Sequence, residues 1–185
     1  MRDTSEELTV ASPAPRKDAQ TVSAQGEPLA ERISDVKIDR RAIQEDERGE
    51  LQEIYNPAWG LHRDPLVYAY FVSIRPAQVK GWVVHRFQDD RLFFVRGVIR
   101  VALFDDRPES PTFRMLNVFV MSDHHRGTLI IPKCVFHALK NIGETDACFI
   151  NLPTRPYNHE DPDKLRLPLK NDLIPFDFSG DSGGW

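Results

Sequence analysis

Two stretches of the chain gather residue types that can move protons or hold a ligand. The first runs Gly81-Trp82-Val83-Val84-His85-Arg86-Phe87-Gln88-Asp89-Asp90-Arg91, with Gly97 following. The second runs Pro132-Lys133-Cys134-Val135-Phe136-His137, with Asn141 following. Histidine titrates near pH ~6.5, so it can take and return a proton under neutral conditions. Alternate residues of a strand share a face. His85 and Phe87, with Arg91 across a turn, can therefore look into one cavity, and a barrel can bring His137 on a later strand to the same place. Such a pair is suited to acid–base chemistry. Asp90 could join the two histidines as a metal ligand, but zinc and iron sites ask for about three good ligands and no second histidine stands beside His85. Each candidate also has a structural reading: His85 or His137 as a packed barrel histidine, Arg91 as a surface charge, Arg48 as a turn residue. Asp105 and Arg107 read as partners that close the loop before Pro108. His62, His124, His125 and His159 read as solvated, and Cys134 and Cys148 as small apolar core residues without a base to activate them, save His137 near Cys134.

A frame is needed to position these groups. Runs rich in Val, Ile, Phe and Tyr recur between turn residues, which is the texture of strands. Strands are expected at Leu51–Tyr55, Val67–Ile74, Gly81–Phe87, Arg91–Val95, Val98–Asp105, Arg114–Val120, Thr128–Ile131, Val135–Lys140 and Ala147–Asn151. Turns are marked by Asp46 to Gly49, Asn56-Pro57, Arg75-Pro76, Asp89-Asp90, Arg96-Gly97, Asp105 to Pro111 and Asp123 to Gly127. A spacing of roughly 8–12 residues without a helical apolar period means a sandwich or barrel. After Pro153 the chain becomes irregular and proline-rich and reads as a wrapping segment. Residues 1–34 are rich in Ser, Ala, Pro, Glu and Gln and lack aromatics, so they are expected to form a disordered arm, with a short helix around Pro28–Ile33 its one candidate element. The expected domain spans 35–178, and the Gly-rich residues 179–185 read as a flexible tail.

Composition narrows the function. The chain has 185 residues, enough for one domain with a real core. A net charge of −4 with well-mixed signs gives no electrostatic footprint for nucleic acid. Two cysteines make no disulfide framework, so a cytoplasmic location is expected. No apolar run approaches the roughly 18 residues of a membrane span, and the start of the chain does not read as a secretory signal.

Several motifs in order carry a family resemblance. The second segment fits the second cupin motif, Pro-x-Gly-x-x-His-x-x-x-Asn, with Cys134 in the glycine's place, and the first fits the first cupin motif loosely. More closely, the chain from about Asp46 to Phe178 resembles the dTDP-4-dehydrorhamnose 3,5-epimerase family. Asp46-Glu47-Arg48-Gly49 is similar to that family's Asp-x-Arg-Gly start, and Lys80-Gly81 through His85 to its Arg-Gly-x-His strand with two extra residues. Arg91-Leu92 falls where the family has Lys-Leu. Asp105 through Thr112 resembles its Asp-x-Arg-x-x-Ser-Pro-Thr turn, and Ile131-Pro132 through His137 its Ile-Pro-x-Gly-x-x-His strand. Tyr157 and Ile174-Pro175-Phe176 resemble the closing segment.

The resemblance implies an all-β fold, the double-stranded β-helix or cupin jelly roll, in a homodimer that exchanges an N-terminal strand. It implies a nucleotide-sugar substrate and no metal or organic cofactor. A proton next to the 4-keto group of a dTDP-4-keto-6-deoxy sugar is removed and returned on the other face. His85 matches the base, Arg91 the cation beside the enolate, and His137 a second pocket histidine. Arg48 matches an arginine that holds the diphosphate in a neighbouring subunit's site, and Tyr157 is a candidate substrate contact. The family's acid is a tyrosine, where this chain has Asn151. The aspartate that pairs with the base lies in an Asp-Pro step, for which Asp172 is the candidate. These departures point to a diverged member: an epimerase at one carbon, an isomerase of another sugar, or an inactive binder. A metal-dependent cupin enzyme and a non-catalytic carbohydrate-binding cupin are the alternatives from other classes.

Overall fold

The structure is a computed structural model that describes residues 17–25 and 28–178. The chain forms two compact units, Met1–Glu31 and Arg32–Trp185. In the first, an isolated bridge joins Val22 to Pro28, and the Leu29 N–H donates to the Thr21 carbonyl at 2.9 Å. No helix forms around Pro28–Ile33. Residues 1–16 of the expected arm and the expected tail lie outside the described residues. The second unit begins at Arg32. Ile33 is only 1% exposed, and its N–H donates to the Asn117 side chain at 2.8 Å.

The second unit is built from antiparallel strands: β1 (Lys37–Asp39), β2 (Gln44–Asp46), β3 (Gly49–Leu51), β4 (Tyr70–Ile74), β5 (Val79–Val84), β6 (Asp90–Arg96), β7 (Val98–Asp105), β8 (Leu116–Ser122), β9 (Thr128–Ile131), β10 (Val135–Asn141), β11 (Ala147–Asn151) and β12 (Leu165–Arg166). One five-stranded sheet has the order β1-β9-β6-β11-β4 and the other β12-β5-β10-β7-β8, while β2 and β3 form a separate hairpin. This is the expected jelly-roll barrel. Among the described residues, no helix is long and apolar enough to cross a membrane.

Alternation along the strands sorts side chains into three layers. Leu92 and Phe94 of β6, Phe149 of β11 and Ile131 of β9 meet Val101 and Leu103 of β7 and Leu139 of β10 in the interior. The opposite faces of β5, β7 and β10 place Trp82, Ala102, Phe104 and Ala138 against Ile174 and Phe178 of the wrapping segment. Trp82 packs on Phe178 at 5.8 Å between ring centroids and donates its indole N–H to the Leu169 carbonyl at 3.3 Å. These strands are thus buried on both faces, which is why they read as continuous apolar runs. Each large apolar side chain so covered contributes about 1.5–3 kcal/mol.

Two local devices set the histidine-bearing segments. Gly81 has φ +152°, and a Cβ there would come within 2.3 Å of the Ala138 Cβ, so only glycine lets β5 pass this close to β10. The register between β5 and β10 shifts at this point. Cys134 adopts φ +63°, the left-handed conformation that favours glycine, and its N–H donates to the His85 carbonyl at 2.7 Å. That turn ties the two histidine segments together.

Several expected strands shift. β5 ends at Val84, short of the expected Phe87, because the N–H groups of Arg86, Phe87 and Gln88 turn aside to the Asp163 carboxylate at 2.8, 2.8 and 3.1 Å. Only Leu51 of the expected Leu51–Tyr55 strand is extended, and the strand expected at Arg114 begins at Leu116, after Arg114 adopts φ +67°.

Candidate active site

One end of the barrel interior is not filled. A cavity of about 530 Å³ opens there between the two sheets. Asp90 and Leu92 of β6, Phe149 and Asn151 of β11, and Tyr70 of β4 face it from one sheet. Val83 and Gly81 of β5, and His137 and Leu139 of β10, face it from the other, with His85 just past the end of β5. Lys80, Lys164 and Arg166 add positive charge to its wall.

The floor is a buried cluster. His85 Nε2 lies 3.3 Å and His137 Nε2 3.5 Å from the same oxygen of Asp90, and the two rings are 5.5 Å apart. The other Asp90 oxygen accepts from Gln88 Nε2 at 2.9 Å and Asn151 Nδ2 at 3.1 Å. His85 Nδ1 meets the main-chain carbonyl of Asp163. A carbonyl can only accept, so Nδ1 carries a hydrogen and the exchangeable position is Nε2, on the cavity side.

Burial and charge together set the protonation states. Burial pushes the Asp90 carboxyl up, but the hydrogen bond from His85, the nearby His137 and the Asn151 amide hold it well below the usual carboxylate range. Burial pulls His85 down, yet Asp90 and the Asp163 carbonyl outweigh it and leave His85 above the ordinary histidine value. His137 is driven down to about 4 by burial, against the attraction of Asp90 and with the repulsion of His85. Asp90 is therefore ionised and His137 neutral, while His85 is the histidine of the cluster whose pKa is raised, by Asp90 and the Asp163 carbonyl. Lys164 is lowered by burial and by Arg166, with Asp90 opposing.

Among the described residues, two groups of side chains could gather a cation. His85, Asp90 and His137 present donor atoms within 4.8 Å of one another, as do His62, Asp64 and Asp89. In the second group both Asp89 oxygens are already engaged, by Lys133 N–H at 2.7 Å and by His62 at 2.9 Å, so it clamps loops.

The residues expected from sequence divide into two sets. His85, His137 and Asn151 come together at the cavity. Arg91 does not. It follows inward-facing Asp90 on β6, so it points to the opposite face, where it is fully buried. Its guanidinium donates to the carbonyls of Asp64, Pro65, Leu152 and Pro153. An arginine so engaged ties loops and cannot reach an enolate in the cavity. Asp172 is exposed on the wrapping segment and does not line the cavity. Its expected place beside the base is taken by Asp163, which follows the Asp161-Pro162 step and bonds His85 through its carbonyl. Phe87 is 60% exposed and turned away. Tyr157 is 42% exposed, with its ring on His159 and outside the cavity lining. Arg48 is paired with Asp46 on the exposed β2–β3 hairpin. Sequence reading missed Tyr70, Lys164 and Asp163 as site residues. The Asp161-Pro162 step was a usable signal for Asp163 and Lys164, whereas nothing local distinguishes Tyr70.

The chain is similar to known proteins along most of its length. The sequence profile of the dTDP-4-dehydrorhamnose 3,5-epimerase family matches residues 30–173. A probable low-salt glycan biosynthesis epimerase, Agl13 of Haloferax volcanii, is 33% identical over 153 residues, covering 82% of this chain and 98% of that protein. The spore coat polysaccharide biosynthesis protein SpsL of Bacillus subtilis is 31% identical over 147 residues, covering 80% of this chain and 97% of that protein. A crystal structure of a dTDP sugar isomerase from Desulfovibrio desulfuricans G20 superposes with a TM-score of 0.74 at 23% identity, over 80% of this chain and 93% of that one, a likeness of fold.

Proposed function

The chain belongs to the dTDP-4-dehydrorhamnose 3,5-epimerase family, and from that premise we propose that it inverts a carbon next to the 4-keto group of a dTDP-4-keto-6-deoxy sugar, with His85 as the base. It is a nucleotide-sugar epimerase, an isomerase of carbohydrate biosynthesis. The observation that carries the residue-level reading is His85 with Nδ1 pinned by the Asp163 carbonyl and Nε2 turned to the cavity over Asp90. An imidazole made more basic by a buried carboxylate suits removal of a proton from carbon beside a ketone. The imidazolium that forms is stabilised by the Asp90 carboxylate, 3.3 Å away.

The enolate needs a cation, and with Arg91 turned outward that role falls to Lys164, which lines the cavity. Burial makes an ammonium more effective there than in water. Lys80 and Arg166, also on the cavity wall, suit the diphosphate. The route asks for no metal or organic cofactor. Arg48 serves the cavity of a second subunit in a homodimer. Its hairpin pairs with neither large sheet, and β4, at the edge of its sheet, leaves Phe71 66% exposed. A cytoplasmic location fits two cysteines that are both free.

The test is deuterium exchange. The protein is incubated with dTDP-4-keto-6-deoxyglucose in heavy water, and sugar positions C3 and C5 are followed by NMR. Label that enters with wild type and not with His85→Ala supports the reading, and the labelled carbon identifies the centre inverted. A folded wild type that binds the sugar nucleotide without exchange refutes it.

A further inference from the structure

Epimerisation leaves a second proton to account for: the enolate must be protonated on the face opposite the base. His85 approaches from the sheet that contains β5, so the donor belongs on the facing sheet. Few groups there can supply it. Asp90 is ionised, and Asn151 has no acidic proton. His137, neutral with its pKa near 4, is a poor donor and stands on the same sheet as β5. Tyr70 of β4 is the one phenol lining the cavity among the described residues.

Its setting is specific. Tyr70 and Asn151 are direct partners in the β4–β11 register. The Asn151 amide is orientated by its neighbours. Its Oδ1 accepts the Arg91 main-chain N–H at 3.3 Å, so Nδ2 must face the cavity. That Nδ2 donates to the Tyr70 hydroxyl oxygen at 2.8 Å and to Asp90 at 3.1 Å. The hydroxyl accepts from Asn151 and donates its own hydrogen to no described residue, which leaves that hydrogen available to a ligand. Burial and the charge of Asp90 push the phenol up to about 12, so it stays protonated across the working range yet remains more acidic than carbon beside a ketone.

We infer that Tyr70 is the proton donor that completes epimerisation, and that Asn151 is a positioning residue that aims its hydroxyl; this rests on the epimerase reading above. The step balances without a further reagent. The C–H bond breaks to His85 Nε2 and its electron pair becomes the enolate. The Tyr70 O–H bond then breaks as a new C–H bond forms on the other face. The phenolate is held by the Asn151 N–H until water restores its proton, and the imidazolium returns its own proton to water. In the family pattern described above, the acid belongs at position 151 on β11. In this chain it stands across the strand pair on β4, and the residue at 151 supports it.

The experiment measures exchange and inversion separately on dTDP-4-keto-6-deoxyglucose in heavy water, comparing wild type with Tyr70→Phe, which removes only the hydroxyl. The expected result is exchange within a few fold of wild type, with label retained in the starting configuration, and inversion slowed at least ~100-fold, the lower end for a lost general acid. Asn151→Ala is expected to slow inversion less, and the double variant no more than Tyr70→Phe alone. Inversion by Tyr70→Phe at the wild-type rate overturns the inference and leaves the epimerase reading standing. Equal loss of exchange and inversion in a variant with a wild-type melting curve also overturns it, because that marks a structural role. A wild type that exchanges nothing overturns the parent reading and this inference together.

Discussion

Replacing Asp90 with Asn tests the electrostatic logic of the site most directly. Asp90 is 3% exposed, and its nearer oxygen is 3.3 Å from His85 Nε2. With an effective dielectric near 20, a full charge pair at this distance attracts by about 5 kcal/mol. That attraction offsets the burial that would otherwise hold His85 below its ordinary value. Among the described residues, the other charged or titratable groups at this cavity are His137 from β10, Asp163 and Lys164 from the wrapping segment, Tyr70 from β4, Lys80 from β5 and Arg166 from β12. Asp163 favours a positive imidazole at His85, and His137 is neutral. In Asp90→Asn, burial is opposed only by the Asp163 carbonyl and carboxylate, and the His85 pKa falls from its wild-type value. Sign follows from chemistry: the base is the neutral imidazole, so exchange rises as pH climbs through the His85 pKa. Wild type should show its inflection above about 6.5, and Asp90→Asn a lower one. The plateau rate of the variant should drop roughly 100-fold, because the imidazolium loses its counter-charge. The assay is the pH profile of deuterium exchange from pH 5 to 9, which spans about two units on each side of neutrality. An inflection that does not move, in a variant with a native melting curve, refutes the assignment of Asp90 as the partner of the base.

Further outcomes follow from other parts of the structure. Arg91→Ala should lower stability by about 3–5 kcal/mol in urea titration, because it strands carbonyls of Asp64, Pro65, Leu152 and Pro153 in a buried setting; a stable variant defective only in catalysis would contradict its outward placement. Cys134→Gly should raise stability by roughly 0.5–1 kcal/mol, since relief of about 1–2 kcal/mol of left-handed strain exceeds the added chain entropy of glycine. A lower urea midpoint for that variant would show that Cys134 is not strained at φ +63°. Chelation and removal of divalent metals should leave exchange unchanged, because the route runs through His85 and Lys164; loss on chelation with recovery on adding zinc or manganese would show that His85, Asp90 and His137 act as metal ligands.

Much of the barrel was legible from local pattern. Strands β7, β9 and β11 begin and end where the sequence places them, at Val98–Asp105, Thr128–Ile131 and Ala147–Asn151. These are β-branched and aromatic runs closed by turn residues, so side-chain preference and burial agree. His85 and His137 were legible for the same reason, since each is carried by a strand pattern and a turn motif. The short strands β1 and β12 were not, because three-residue and two-residue polar segments become extended only through the partners they pair with. Register decided the rest. Asp90 and Arg91 are neighbours, and a pleat puts one in the cavity and the other behind the sheet; a reading one residue out exchanges their roles. Asp163 reaches His85 across 78 residues, and Tyr70 reaches Asn151 across 81, distances over which no local periodicity carries information. The sequence alone therefore determined a β-barrel with two histidines on its walls. Only the packed sheets decided which carboxylate, amide, lysine and phenol meet them, because side-chain direction in a strand is set by hydrogen-bonded partners far away in the chain.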